Sequence, residues 1–175
     1  MNVVAGSLPG VLIFEPPSFP DTRGMFRELY RAPRYADAGL TEPFVQDNLS
    51  RSVRHTLRGL HLQNPGAHGK LVMVLEGAVY DVAVDVRRES PTFACWEGFE
   101  LNAENGRQAY LPPGFAHGFL VLSDSALGGA RGTRRGEAVA QIADGVVVDD
   151  RDGDPRHGFD VGREQTLARP ASTLS

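Results

Sequence analysis

Two histidines, a lysine and an arginine stand in segments that otherwise read as β-strand. Arg58 and His61 lie in R-G-L-H-L-Q (Arg58–Gln63), Lys70 in G-K-L (Gly69–Leu71) and His117 in P-P-G-F-A-H-G-F (Pro112–Phe119). A charged side chain on a strand face that should cover a core is costly to bury alone, and a polar pocket inside a β-barrel is the simplest arrangement that removes the cost. An imidazole titrates near neutrality and suits acid/base work. Arg23 in D-T-R-G, Arg58 and Lys70 form the expected anion grip, because a guanidinium presents a planar donor fork suited to phosphate. In a regular strand Arg58 and His61 point to opposite faces. A strand start or bulge at Gly59 is therefore required to turn both into one pocket. His55 and His68, beside turns, and His157, in a charged Gly-rich segment, read as solvated.

The elements that must position these groups read as short strands. Leu8–Phe14, Met25–Tyr30, Phe44–Arg51, Thr56–Gln63, Phe93–Leu101, Arg107–Leu111, Gly118–Leu122 and Val146–Val148 are predicted strands, and Pro33–Gly39 one or two helical turns ending at the glycine. Leu71–Val86 carries the strongest β signal, with a turn at Glu76-Gly77. In its second half Tyr80, Val82, Val84 and Val86 share one face and Asp81, Ala83 and Asp85 the other, so one face covers the core and the other meets water or a pocket. Short strands at this spacing predict an antiparallel sandwich or barrel. The chain of 175 residues suits a single domain, 1–175. Residues 125–140, rich in Gly and Arg, read as a flexible loop, and 167–175 as a loose tail.

Composition narrows the partners. The net charge of −4 gives no electrostatic case for nucleic acid. The N-terminus shows no basic n-region, and no run is long enough to span a bilayer, so no membrane partner and a cytoplasmic location are expected. The one cysteine, Cys95, excludes an intrachain disulfide and reads as a small buried hydrophobe.

The spacing G-x5-P-x-G-x2-H runs from Gly106 through Pro112 and Gly114 to His117, and it resembles the second motif of metal-binding cupin barrels. The first motif is altered. His61 stands at its first ligand position, Gln63 at its second, and Lys70 near the place of its glutamate. A protonated lysine repels a divalent cation and a neutral amide is a poor transition-metal ligand, so no metal and no cofactor are expected, and the site reads as an organic acid/base centre.

The longer motifs resemble the dTDP-4-dehydrorhamnose 3,5-epimerase family of the cupin superfamily. They are F-x-D-x-R-G-x-F-x-E (Phe19–Glu28), Q-D-N-L-S (Gln46–Ser50), R-G-L-H-L-Q, G-K-L, D-V-A-V-D-V-R (Asp81–Arg87), S-P-T-F (Ser90–Phe93) and P-x-G-F-A-H-G-F-L-V-L-S (Pro112–Ser123), covering about Leu8 to Asp124. The resemblance implies an all-β cupin jelly-roll barrel with short helical turns, a homodimer without metal, and a dTDP-4-keto-6-deoxyhexose as ligand. It implies that Arg23, Phe26, Glu28, Gln46, Asn48, Arg58, Gln63 and His117 contact the nucleotide sugar, with Arg23 reaching the partner subunit's site. By the same resemblance His61 is the base, and Lys70 and His117 lie near the keto oxygen.

The family tyrosine that delivers a proton to the opposite face has no counterpart, since no tyrosine follows Tyr110. Its position falls on Ala130, that of the thymine-stacking aromatic near Gly136, and that of the aspartate orienting the base on Gln165. Ser123, Ser125, Glu137, Tyr80, Tyr110 or a water are the candidate replacements. The expected activity is therefore epimerisation α to a carbonyl, at one centre or by slow exchange. The alternatives are isomerisation, elimination or cyclisation of a non-sugar carbonyl metabolite, and a binding protein without turnover.

Overall fold

The computed structural model describes residues 1–62 and 67–133, with the backbone of three further strands. Met1–Ala143 and Asp144–Ser175 form two compact units. The first runs β1 (Asn2–Ala5), β2 (Leu12–Glu15), β3 (Ser18–Asp21), β4 (Gly24–Arg27), α1 (Ala32–Ala36), β5 (Gln46–Val53), β6 (Leu57–Leu62), β7 (Lys70–Glu76), β8 (Ala78–Asp85), β9 (Trp96–Asn102), β10 (Gln108–Leu111), β11 (Phe115–Val121), β12 (Ser125–Gly132) and β13 (Ala140–Gln141). These build a six-stranded sheet in the order β1-β2-β10-β7-β12-β5 and a five-stranded sheet in the order β13-β6-β11-β8-β9, while β3 and β4 form a separate hairpin. Among the described residues every pairing is antiparallel. In the second unit β14 (Val147–Val148) pairs antiparallel with β15 (Phe159–Asp160). Among the described residues no helix is long and apolar enough to cross a membrane.

Alternation along the strands sets the layers. Val72 and Val74 of β7, Ala109 and Leu111 of β10 and Ala126 of β12 meet Val79 and Ala83 of β8, Leu101 of β9 and Phe115 and Val121 of β11 in the core between the two sheets. Leu101, Leu111 and Val121 are 1%, 1% and 0% exposed, each such burial stabilising by about 1.5–3 kcal/mol. The outer face of the six-stranded sheet carries Phe14, Leu71 and Met73, covered by Tyr35 of α1 with Tyr30, Leu40 and Phe44. The Tyr35 hydroxyl donates to Gln108 Oε1 at 2.7 Å, which satisfies both buried polar groups. This is the antiparallel barrel that the strand spacing predicts, with the short helical turn and jelly-roll form that the family resemblance implies.

Four readings of the sequence are corrected. Residues 125–140 do not begin as a loop, because Ser125–Gly132 is strand β12. It pairs with β5 on one side and β7 on the other, so backbone hydrogen bonds on both edges supply what its glycines lack in β-propensity. The remainder of that segment, 134–139, and the tail 167–175 lie outside the described residues. The polar face of β8 is the inner one, since Val79 and Ala83 belong to the core and Asp81 shares their side; the other face, with Val82 at 0% exposure, is buried too. Cys95 is exposed, because its turn is held to β8 by backbone bonds, Asp85 donating to the Cys95 carbonyl at 3.0 Å and Ala94 to that of Asp85 at 2.8 Å. His55 is exposed in a turn as expected, whereas His68 is half-buried.

Candidate active site

The five-stranded sheet supplies the imidazoles. His61 of β6 stands directly opposite His117 of β11, and Arg58 opposite Phe119. Two residues separate Arg58 from His61 where one separates His117 from Phe119, so β6 carries a bulge at Gly59-Leu60. The extra residue returns Arg58 to the face His61 uses, as the sequence required. Gly59 sits at φ 119°, and a Cβ there would come within 2.5 Å of the Gly118 backbone, so only glycine serves.

On the neighbouring strand β8 places Ala83 opposite His117 and Asp81 opposite Phe119. Asp81, 1% exposed, lies 3.1 Å from His117 Nδ1. The carboxylate accepts and Nδ1–H donates, which fixes the ring orientation. Sequence reading gave Asp81 no role in the site. Its alternation with Ala83 and Asp85 marked a polar face without saying which sheet surface that face joined.

The six-stranded sheet supplies the cation. Lys70 continues the inner row of Val72 and Val74 on β7, and it pairs with Gly132 and Leu111. The edge strand β5 turns Gln46, Asn48, Ser50 and Ser52 to the same side, with Asn48 opposite Ala130. Gln46 Nε2 donates to Asn48 Oδ1 at 3.0 Å. Arg58 Nε donates to Ser52 Oγ at 2.8 Å, a bond between the two sheets. A cavity of about 70 Å³ is bounded by Asn48, Ser50, Asp81, Phe119, Gly128 and Ala130 among others.

Electrostatics couple the two walls. Burial, then the positive charges available to His117, Lys70 and Arg58, push the His61 pKa below its ordinary 6.5. Burial lowers Lys70 from its ordinary 10.5, opposed by the charge of Asp81. His61 is thus held as the neutral base and Lys70 retains a partner for its charge. A bell-shaped kcat/KM profile is expected. Its acid limb should rise with a midpoint below 6.5 as His61 loses its proton, and its alkaline limb should fall with a midpoint below 10.5 as Lys70 loses its own. A pH–rate profile in which neither limb lies on that side of the ordinary value contradicts the assignment.

Of the expected site residues, the fold brings together His61, His117, Arg58 and Lys70, with Gln46 and Asn48 on the facing strand. It leaves Arg23, Phe26 and Glu28 apart from them. Arg23 and Phe26 lie on the separate β3–β4 hairpin, where Arg23 bonds Asp21 at 2.6 Å and Phe26 is 68% exposed. Glu28 pairs with Arg31 and Arg34. Gln63, Glu137 and Gln165 lie outside the described residues. The tyrosine candidates fail on geometry, because Tyr110 packs in the outer cluster and Tyr80, on the outer face of β8, lies over Gly98. Ser123 is occupied in tying the β7–β8 turn, accepting from Ala78 N at 2.8 Å and donating to the Ser125 carbonyl at 2.7 Å.

The profile of the dTDP-4-dehydrorhamnose 3,5-epimerase family matches residues 5–129. A dTDP-4-dehydrorhamnose 3,5-epimerase of Shigella flexneri is 54% identical over 128 residues, 72% of this chain and 71% of its own length. The chain belongs to the dTDP-4-dehydrorhamnose 3,5-epimerase family. Another family member, from Pseudomonas aeruginosa, is 54% identical over 127 residues, covering 72% of this chain and 70% of the relative. The crystal structure of the Legionella pneumophila 3,5-epimerase in complex with dTDP-4-keto-L-rhamnose superposes with a TM-score of 0.78 at 46% identity, covering 81% of this chain and 77% of that one. The epimerase-family match ends at residue 129, one position before Ala130. Ala130, where the sequence resemblance puts the family tyrosine, lies on the inner face of β12, packed against the core.

Proposed function

We propose that this chain acts on a dTDP-4-keto-6-deoxyhexose by removing a proton α to the ketone, with His61 as base. The electron pair of the C–H bond moves into the enolate, whose oxygen the Lys70 ammonium stabilises, and return of a proton to carbon completes exchange or epimerisation. The observation that carries this reading is the union of an imidazole pair on one sheet with a lone ammonium on the facing sheet, coupled through Asp81. Relatives named for this reaction, and one solved with a keto-sugar nucleotide, support the substrate class. Arg58, Gln46, Asn48, Gln63 and His117 are the proposed sugar-nucleotide contacts within the chain. The exposed hairpin bearing Arg23, Phe19, Met25 and Phe26 supports a homodimer in which it completes the site of a second copy.

The test is incubation of dTDP-4-keto-6-deoxyglucose with the protein in D₂O, followed by NMR. Deuterium at sugar C3 or C5 is the expected result. Unlabelled sugar after prolonged incubation, or a product of new connectivity, rejects the proposal.

A further inference from the structure

We infer that Lys70 also delivers the proton that inverts the carbon, acting from the sheet opposite His61. This rests on the reading of His61 as the base. Inversion needs a proton from the face away from the imidazole, and that face is the inner surface of the six-stranded sheet. On the strands around Lys70 (β5, β7, β10 and β12) the described inward-facing residues are aliphatic, glycine, serine or amide, apart from Lys70. All four tyrosines face elsewhere, Tyr30, Tyr35 and Tyr110 in the outer cluster and Tyr80 on the outer side of β8. Asp81, projecting from the other sheet, interacts with Lys70 and bonds His117, so the ammonium is drawn toward the carbonyl site rather than to solvent.

The step balances. His61 takes the proton from carbon and becomes imidazolium, and the C–H electron pair forms the enolate double bond. The enolate carbon then takes a proton from the Lys70 ammonium, the π pair forming the new C–H bond and the carbonyl reforming. Imidazolium and neutral amine reset by proton exchange with water. Burial of Lys70 eases formation of the neutral amine. Return of the proton from His61 instead gives exchange with retention, so labelling and inversion are separable.

The experiment exploits the single cysteine. In Lys70→Cys on a Cys95→Ala background, alkylation with 2-bromoethylamine restores an ammonium with transferable protons. Alkylation with (2-bromoethyl)trimethylammonium restores only the charge. Lys70→Arg is the second probe, since guanidinium keeps its proton at every accessible pH. In D₂O with dTDP-4-keto-6-deoxyglucose, the aminoethyl adduct should label and invert the sugar. The trimethylammonium adduct and Lys70→Arg should both label it while inversion falls at least 100-fold. Inversion by either of these two, or loss of labelling and inversion together in both, overturns the inference. Absence of labelling by the unmodified protein overturns the proposed function itself, so the two failures are distinguishable.

Discussion

Replacing His61 by asparagine should reduce deuterium incorporation into the sugar by about 10²–10⁴-fold, the contribution of a positioned general base. Asparagine keeps a polar side chain of similar reach but cannot accept a proton from carbon. His61 is half-buried beside the bulge, and the substitution leaves Gly59 and the His117–Asp81 bond in place, so the melting temperature should change little. His117 stands on a different strand, its ring held by the bond to Asp81. Among the described residues no hydrogen bond joins a carboxylate to His61, and Asp81 serves His117. The base therefore relies on burial and neighbouring cations to stay neutral, and its loss should remove the acid limb of the pH profile along with the rate. NMR labelling of His61→Asn at a rate within tenfold of the parent would sink the assignment.

How much of this was legible in the residues depends on what fixes each feature. The β7–β8 hairpin was legible because β-branched residues flank Glu76-Gly77, and Gly77 indeed turns at φ 75°. The convergence of Arg58 and His61 was legible as a requirement, since strand alternation separates them, and the bulge met it. Strand β12 was hidden, because a run of Gly, Ala and Arg carries no period, and its order comes from two neighbouring strands remote in sequence. Asp81 was hidden for a similar reason. Its partner His117 lies 36 residues away, and only the β8–β11 register makes them neighbours. The fold class and the inward cluster follow from local pattern, whereas the electrostatic link between the two sheets follows from pairings that no local pattern encodes.

Replacing Lys70 by methionine should lower turnover by about 10²–10³-fold, the usual effect of removing one preorganised group that stabilises an oxyanion, while raising the melting temperature. The two effects share a cause. Lys70 ends an inner row whose other members are Val72 and Val74, and burial disfavours its charge. A methionine fills much the same volume without the desolvation cost, and replacing a buried charge by a packed apolar group is often neutral or stabilising. Asp81 would then keep His117 as its partner, which limits the penalty of leaving a carboxylate alone. The same substitution should abolish the alkaline limb of the pH profile, because the group that titrates there is gone. A variant that loses both activity and stability would show that Lys70 holds the fold together. A variant that keeps its activity would show that the enolate is stabilised elsewhere. Only opposite movements of rate and melting temperature fit an ammonium kept in the barrel for chemistry at the expense of packing.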